Sequence, residues 1–280
     1  MKKTILFIVA VALAIPAIAQ ETPPSRDLSL LERLEGLSSS PGVYEQDEVR
    51  TVFRQDEEKK RPKTWQRNRR RFEAHWAGLE IGFNNFLTPD NSMVLPTDDY
   101  YMTLNSGRAK NVNINFAQIN VGLTRRIGFV TGMGLQMSNY MFEGNNSIVK
   151  GANGVVEPSY PAAGINYDKS KLATRYITVP LLLELQIPAN YSSHLNIAAG
   201  PIGAVKIGSH TKTVFYSDGK QKVKDHSDFS LNLLRYGFTA RVGYEMIQFY
   251  GTYYVTPLFK SGKGPELHPF EIGIAFTIND

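Results

Sequence analysis

Four charged residues stand at positions that an alternating strand pattern would turn toward a common interior. They are Glu80, Glu184, Arg241 and Glu271. Two carboxylates held close together can act as a general acid and a general base, since one keeps its proton while the other accepts one. The same set can instead form a salt-bridge network that fills a narrow barrel, and the strand pattern favours this second interpretation.

Other arrangements of reactive residues are sparse. Ser209 and His210 are adjacent and could serve a lipid-modifying hydrolase, but no third member of a triad can be assigned. The sequence contains neither the HExxH nor the GxSxG motif, and it has no cysteine for a disulfide or a metal site. Asp90, Asp98 and Asp99 lack the spacing of a calcium-binding loop. We therefore expect no catalytic residue, no metal and no cofactor.

Two stretches of the chain are strongly basic. Residues 59–71 carry eight Lys and Arg residues and no acid. The second stretch contains Lys206, His210, Lys212, Lys220, Lys222 and Lys224. Because basic side chains beside a membrane attract lipid phosphates, we expect the second stretch to form a loop that faces lipopolysaccharide. No nucleic-acid-binding module is recognisable, so a nucleic-acid partner is not expected.

The segments that must position these side chains have the pattern of β-strands. From Trp76 to the C-terminus, about eight runs of roughly ten residues alternate apolar with small or polar side chains, as membrane-spanning strands do. The last run places Phe270 and Ile272 on one face and Glu271 and Gly273 on the other. Strands are predicted over residues 75–87, 116–126, 128–142, 173–187, 194–207, 231–245, 248–259 and 269–278. The pattern predicts an all-β fold, an eight-stranded antiparallel transmembrane β-barrel.

The connections between these runs favour an outer-membrane location. Long connections are expected near residues 88–115, 143–172, 208–230 and 260–268, and the others are short, which is typical of outer-membrane barrels. A soluble barrel would have its large apolar side chains inside. It is disfavoured because isolated charges such as Glu80 would be costly to bury in its interior. We expect outer-membrane lipid as the surroundings of the protein.

The beginning of the chain differs in composition from the predicted barrel. Residues 1–19 have the basic start, the apolar run and the Ala17-Ile18-Ala19 cleavage site of a secretory signal. Residues 20–72 are rich in charge, Pro and Ser, and we expect a flexible, mostly disordered periplasmic extension that could bind a periplasmic or envelope protein. The barrel is expected over residues 73–280, with both termini in the periplasm. An eight-stranded lumen is expected to hold only side chains of its own strands, with no plug.

Five short motifs resemble the Bacteroidetes outer-membrane β-barrel families grouped around the PorT-type proteins. They are WAGLEIG at 76–82, YITVPLLL at 176–183, RVGY at 241–244, TPLF at 256–259 and GPEL at 264–267. The resemblance spans roughly residues 76–278 and implies an eight-stranded outer-membrane barrel of mostly unknown function. We expect a non-enzymatic protein with a structural, adhesive, secretion or envelope-assembly role. The alternatives are a lipid-modifying enzyme and a narrow pore.

Overall fold

Strands dominate the computed structural model, which describes residues 72–189, 194–217 and 219–278. The predicted signal peptide and residues 20–71 of the predicted extension lie outside the described residues. The strands are β1 (Gly78–Leu87), β2 (Lys110–Gly122), β3 (Ile127–Met141), β4 (Ser147–Lys150), β5 (Val156–Ser159), β6 (Tyr167–Pro188), β7 (His194–Tyr216), β8 (Lys220–Asp225), β9 (Leu234–Tyr244), β10 (Ile247–Tyr254) and β11 (His268–Thr277). Among the described residues, no helix is long and apolar enough to cross a membrane.

Eight of these strands close into an antiparallel ring. Their order around the ring is β1, β2, β3, β6, β7, β9, β10 and β11. The ring closes where β1 pairs with β11 over residues 78–87 and 268–277. Because every ring strand has two hydrogen-bonded neighbours, no edge is left, as a strand that spans lipid requires. The predicted eight-stranded antiparallel barrel is confirmed.

The two faces of the ring strands differ sharply in character. On β1, Leu79, Ile81 and Phe83 point outward and expose between 40% and 49% of their surface, while Glu80 points inward and is buried. The outer surfaces of the other ring strands are likewise mostly Leu, Ile, Val and aromatic residues. A continuous apolar band of this kind is larger than a water-exposed surface normally carries, and it matches a lipid-facing exterior.

Several strand boundaries differ from the prediction. The expected loop at 208–230 is mostly sheet, because β7 continues to Tyr216 and pairs with β8. In the same way β6 begins at Tyr167 and β2 at Lys110, both earlier than predicted. The added segments of β6 and β7 are mostly polar and lack the apolar alternation of the membrane-spanning parts. In the added part of β2, Val112 and Ile114 do alternate with asparagines. Strand β1 begins at Gly78 instead of residue 75, since the preceding residues turn into the lumen.

Two bulges change which side chains face the lumen. In β2 the pairing shifts between Phe116 and Ile119. Before this bulge the odd-numbered residues face inward, and beyond it the even-numbered Gln118 does. In β7 the pairing with β6 skips Ile207, so His210 and Lys212 beyond the bulge face outward, whereas Lys206 before it faces the interior like Ala204. A bulge adds one residue to one strand only, and the alternation of faces is reversed beyond it.

The four long connections lie at one end of the ring and fold together as a cap (residues 88–109, 142–166, 226–233 and 255–267). Its apolar core is drawn from all four connections and includes Met102, Ile148, Phe229 and Leu258, all fully buried. Asp228 links three connections by pairing with Lys150 at 2.7 Å and Lys260 at 3.7 Å. The hydrogen bond from Lys150 lowers the pKa of Asp228 to about 2. The predicted long loops are thus a packed layer with its own core.

Candidate functional site

The four predicted interior charges all lie in the lumen of the barrel. Glu80, Glu184, Arg241 and Glu271 each expose 3% or less of their surface. A buried charge is tolerated only where hydrogen bonds or an opposite charge satisfy it.

Arg241 forms an ion pair with Glu80. The guanidinium Nη2 lies 2.5 Å from Oε1 of Glu80, and both side chains are buried. Glu80 also accepts hydrogen bonds from the amides of Asn113, at 2.7 Å, and Asn115. The guanidinium carbon lies 4.2 Å from the ring centre of Trp76, which adds a cation–π contact. Such contacts contribute about 2 kcal/mol where water is excluded.

Glu184 and Glu271 have partners other than Arg241. Glu184 lies 2.6 Å from Nδ1 of His75 and accepts a hydrogen bond from the backbone N–H of His75 at 3.1 Å. Glu271 accepts hydrogen bonds from Ser138 at 2.7 Å and Asn111 at 3.0 Å. The amide of Asn113 donates to Glu80 at 2.7 Å and to Glu271 at 3.4 Å, so these two carboxylates share a donor, whereas Glu184 has a separate set.

A second buried arginine was not included in the predicted network. Arg235 lies between two tyrosine rings, with its guanidinium carbon 3.7 Å from the ring centre of Tyr176 and 4.0 Å from that of Tyr254. It also donates to Gln136. Its inward position follows from the alternation of β9, but the tyrosines could not be placed beforehand, because the segment that contains Tyr254 is aromatic on both faces.

The end of the lumen opposite the cap is filled by the residues that precede β1. This luminal segment (residues 72–77) is bound through its backbone by side-chain amides of the ring strands. The amides belong to Gln118, Asn120, Gln186 and Gln248. Gln118 accepts hydrogen bonds from the N–H groups of Trp76 and Ala77, at 2.7 and 2.8 Å, and donates to the carbonyl of Ala74 at 3.0 Å.

Glycines on the inner wall make room for the two large side chains of the luminal segment. A Cβ atom at Gly128 would lie 2.5 Å from the ring of Phe72, and one at Gly132 would lie 2.7 Å from the indole of Trp76. The expectation that the lumen has no space for a plug is therefore wrong. The expectation rested on the number of strands alone, whereas glycines on the inner wall leave space that larger side chains would occupy. Phe72, placed in the predicted extension, is buried here.

The predicted basic stretch is divided between two places. Lys206 faces the cap, where its Nζ donates to the carbonyls of Asp228 at 3.1 Å and Leu231 at 3.2 Å. Burial lowers the pKa of Lys206. Lys220 lies at the tip of the β7–β8 hairpin, 5.9 Å from the ring centre of Tyr216. The other members, His210, Lys212, Lys222 and Lys224, lie on the paired strands β7 and β8.

Neighbouring cations of β6 join these residues on one outer face. We call this surface the basic sheet. It consists of Lys169, Lys171, Arg175, His210, Lys212, Lys222 and Lys224. The ring of His210 stacks on that of His226, with centres 5.3 Å apart. Burial, and then the charge of His226, lowers the pKa of His210. Lys169 and Lys171 were not predicted as part of this surface because they fall in a predicted loop, whereas Arg175 lies in a predicted strand.

Comparison with known proteins agrees with this architecture. Residues 60–261 match the family described as outer membrane protein beta-barrel domain. The chain belongs to this family. It is an outer-membrane β-barrel, and lipid surrounds its apolar band.

One solved structure similar to this outer-membrane barrel is the crystal structure of Ail, the attachment invasion locus protein of Yersinia pestis. The identity is 10%, the match covers 73% of this chain and 99% of that chain, and the TM-score is 0.28. No match was found among curated proteins.

Replacing Arg241 by methionine should destabilise this outer-membrane barrel by about 3–5 kcal/mol, because Glu80 would keep a buried charge without its cation. The measurement is the free energy of unfolding in detergent micelles. The matched control is Arg125→Met in the exposed β2–β3 turn, which should change stability by less than about 0.5 kcal/mol. The double variant Glu80→Gln/Arg241→Met should recover part of the loss. Equal losses for Arg241→Met and Arg125→Met would contradict the assignment of an interior network.

Proposed function

We propose that this outer-membrane barrel is a non-enzymatic and non-conducting anchor with a structural, adhesive or accessory role in the envelope. The observation that carries the proposal is the filled lumen. The luminal segment occupies one end, the Arg235–tyrosine stack and the Arg241–Glu80 pair occupy the interior, and the apolar core of the cap covers the other end. What the barrel offers to other molecules is therefore its two outer ends and its lipid-facing side.

A narrow pore has little support in this geometry. Conduction requires a continuous polar path, and side chains in close contact interrupt it at several levels. Three large aromatic side chains in the lumen expose 1% of their surface or less, namely those of Trp76, Tyr176 and Tyr254. Opening a path would require breaking the cation–π contacts of both arginines as well as removing the luminal segment.

A lipid-modifying hydrolase has even less support. Ser209 and His210 are neighbours in β7, so their side chains point to opposite faces of the strand. The hydroxyl of Ser209 donates to the carbonyl of Ser227 at 2.6 Å, and the ring of His210 stacks on His226. A serine nucleophile needs a base within hydrogen-bonding distance, and His210 is not placed to act as one.

The orientation of the barrel is part of the proposal. We place the cap outside the cell and the N-terminus in the periplasm, since outer-membrane barrels have long outer loops and short periplasmic turns. The short turns here follow β2 and β9, at the end where the luminal segment enters. The basic residues 59–71, which precede the luminal segment in sequence, would then be in the periplasm. There they could bind an anionic surface or a periplasmic or envelope protein.

The function class is tested by two measurements on the same strain and protein. Purified protein in a planar bilayer should give no stable conductance, because the lumen is filled. Lipid A mass spectra from cells with and without the protein should be identical. Stable channels of uniform size would favour the pore, and a mass change that His210→Ala abolishes would favour the enzyme.

The orientation is tested by trypsin added to tagged protein in intact cells and in cells with a permeabilised outer membrane. Cleavage in the basic run 59–71 should occur only after permeabilisation. The product should begin at about Phe72 and keep its folded, heat-modifiable migration on a gel, because the luminal segment stays bound. Cleavage of that run in intact cells would reverse the proposed orientation.

A further inference from the structure

The basic sheet continues the lipid-facing side of the barrel in the direction of the cap. Successive rows of outward residues can be followed across β6 and β7 from their pairing. Ile177 lies opposite Val205 in an apolar row, and the row two residues further toward the cap pairs Arg175 with Gly208. Beyond these, Lys171 lies opposite Lys212. The cations therefore face sideways, in the same direction as the lipid-exposed side chains below them.

The centre of the basic sheet is a row of three lysines placed directly opposite one another. Lys171 pairs in register with Lys212, and Lys212 with Lys224. Like charges at directly opposed positions destabilise a sheet. None of the ion pairs among the described residues involves this row.

The electrostatics of the row show a local excess of positive charge. Burial, followed by the charges of Lys169, Lys212 and Lys224, lowers the pKa of Lys171. The pKa of Lys212 is lowered by partial desolvation and by the lysines around it. An anion bound between these side chains would remove the repulsion and would be held by several charge-assisted hydrogen bonds.

We infer that the basic sheet is a lateral binding site for the phosphate groups on the sugar part of the anionic glycolipid of the outer leaflet. The inference rests on the proposed orientation, which places the basic sheet on the outer side. Arg175 would contact the phosphates nearest the acyl chains, and the lysine row would contact those further from the membrane. The protein would thereby be fixed to the lipid layer around it.

The height of the lysine row favours a glycolipid over a phospholipid. Six residues separate Ile177 from Lys171, which is about 20 Å of strand at ~3.3 Å per residue. A strand tilt of about 40° reduces the height to roughly 15 Å. The headgroup layer of an ordinary bilayer adds only about 5–8 Å to each side of the hydrocarbon core. Phosphates attached to an extended sugar chain can reach the lysine row, whereas those of a phospholipid lie too low.

The experiment measures lipid binding to the full chain, purified in non-ionic detergent, by native mass spectrometry. The probes are rough lipopolysaccharide with a phosphorylated core, the same material after phosphatase treatment, and phosphatidylglycerol. The test variant is Lys212→Gln/Lys224→Gln. The control variant is Arg125→Gln/Arg126→Gln, which removes equal charge from the exposed turn at the opposite rim.

Wild-type protein should bind the phosphorylated probe at least about tenfold more tightly than the treated probe, and the lysine variant should lose this difference. The control variant should bind like wild type. Because a repulsion is removed, the lysine variant should unfold in lipid-free detergent at the same temperature as wild type or higher, which separates lost binding from lost folding. Equal binding of both lipopolysaccharide probes, an equal loss in the control variant, or phosphatidylglycerol binding as tight as that of the phosphorylated probe would overturn the inference. These binding affinities are measured independently of the conductance, the lipid A masses and the trypsin accessibility. A failure of the proposed function can therefore be distinguished from a failure of this inference.

Discussion

A narrow barrel in lipid must satisfy every charge that it turns inward, because neither lipid nor bulk water can reach those groups. In this protein the ring of eight strands buries three carboxylates and two arginines. The ion pair of Arg241 with Glu80 and the stacking of Arg235 between Tyr176 and Tyr254 are the two arrangements that hold the cations. The other interior contacts follow from this requirement, since amide side chains of the ring supply the remaining donors to the carboxylates.

The luminal segment completes the same network from the chain itself. His75 supplies the partner of Glu184, and Trp76 covers the guanidinium of Arg241. In return, four amide side chains of the wall bind the backbone of residues 72–77. Interior charge and luminal segment therefore depend on each other, and together they close the barrel.

Much of the barrel was predictable from sequence because lipid imposes a strict alternation on each strand. The eight membrane-spanning segments and the inward direction of Glu80 and Arg241 follow from that rule. The predictions that were wrong concern segments on which lipid imposes no alternation. The strand segments above the lipid are mostly polar, the bulge at Ile207 turns His210 and Lys212 outward, and the cap core has no periodic pattern. The position of the luminal segment could not be predicted from its own sequence, because its binding depends on glycines far away in sequence, such as Gly128 and Gly132.

The mutual dependence of the interior charges and the luminal segment is tested most directly by hydrogen–deuterium exchange of the full chain in detergent. The informative amides are those of Trp76 and Ala77, which donate to Gln118 instead of to a neighbouring strand. If the segment is bound as described, these amides exchange as slowly as the paired amides of β1, and Arg241→Met accelerates them. Exchange at the rate of a free peptide in the wild-type protein, with β1 still protected, would contradict the account.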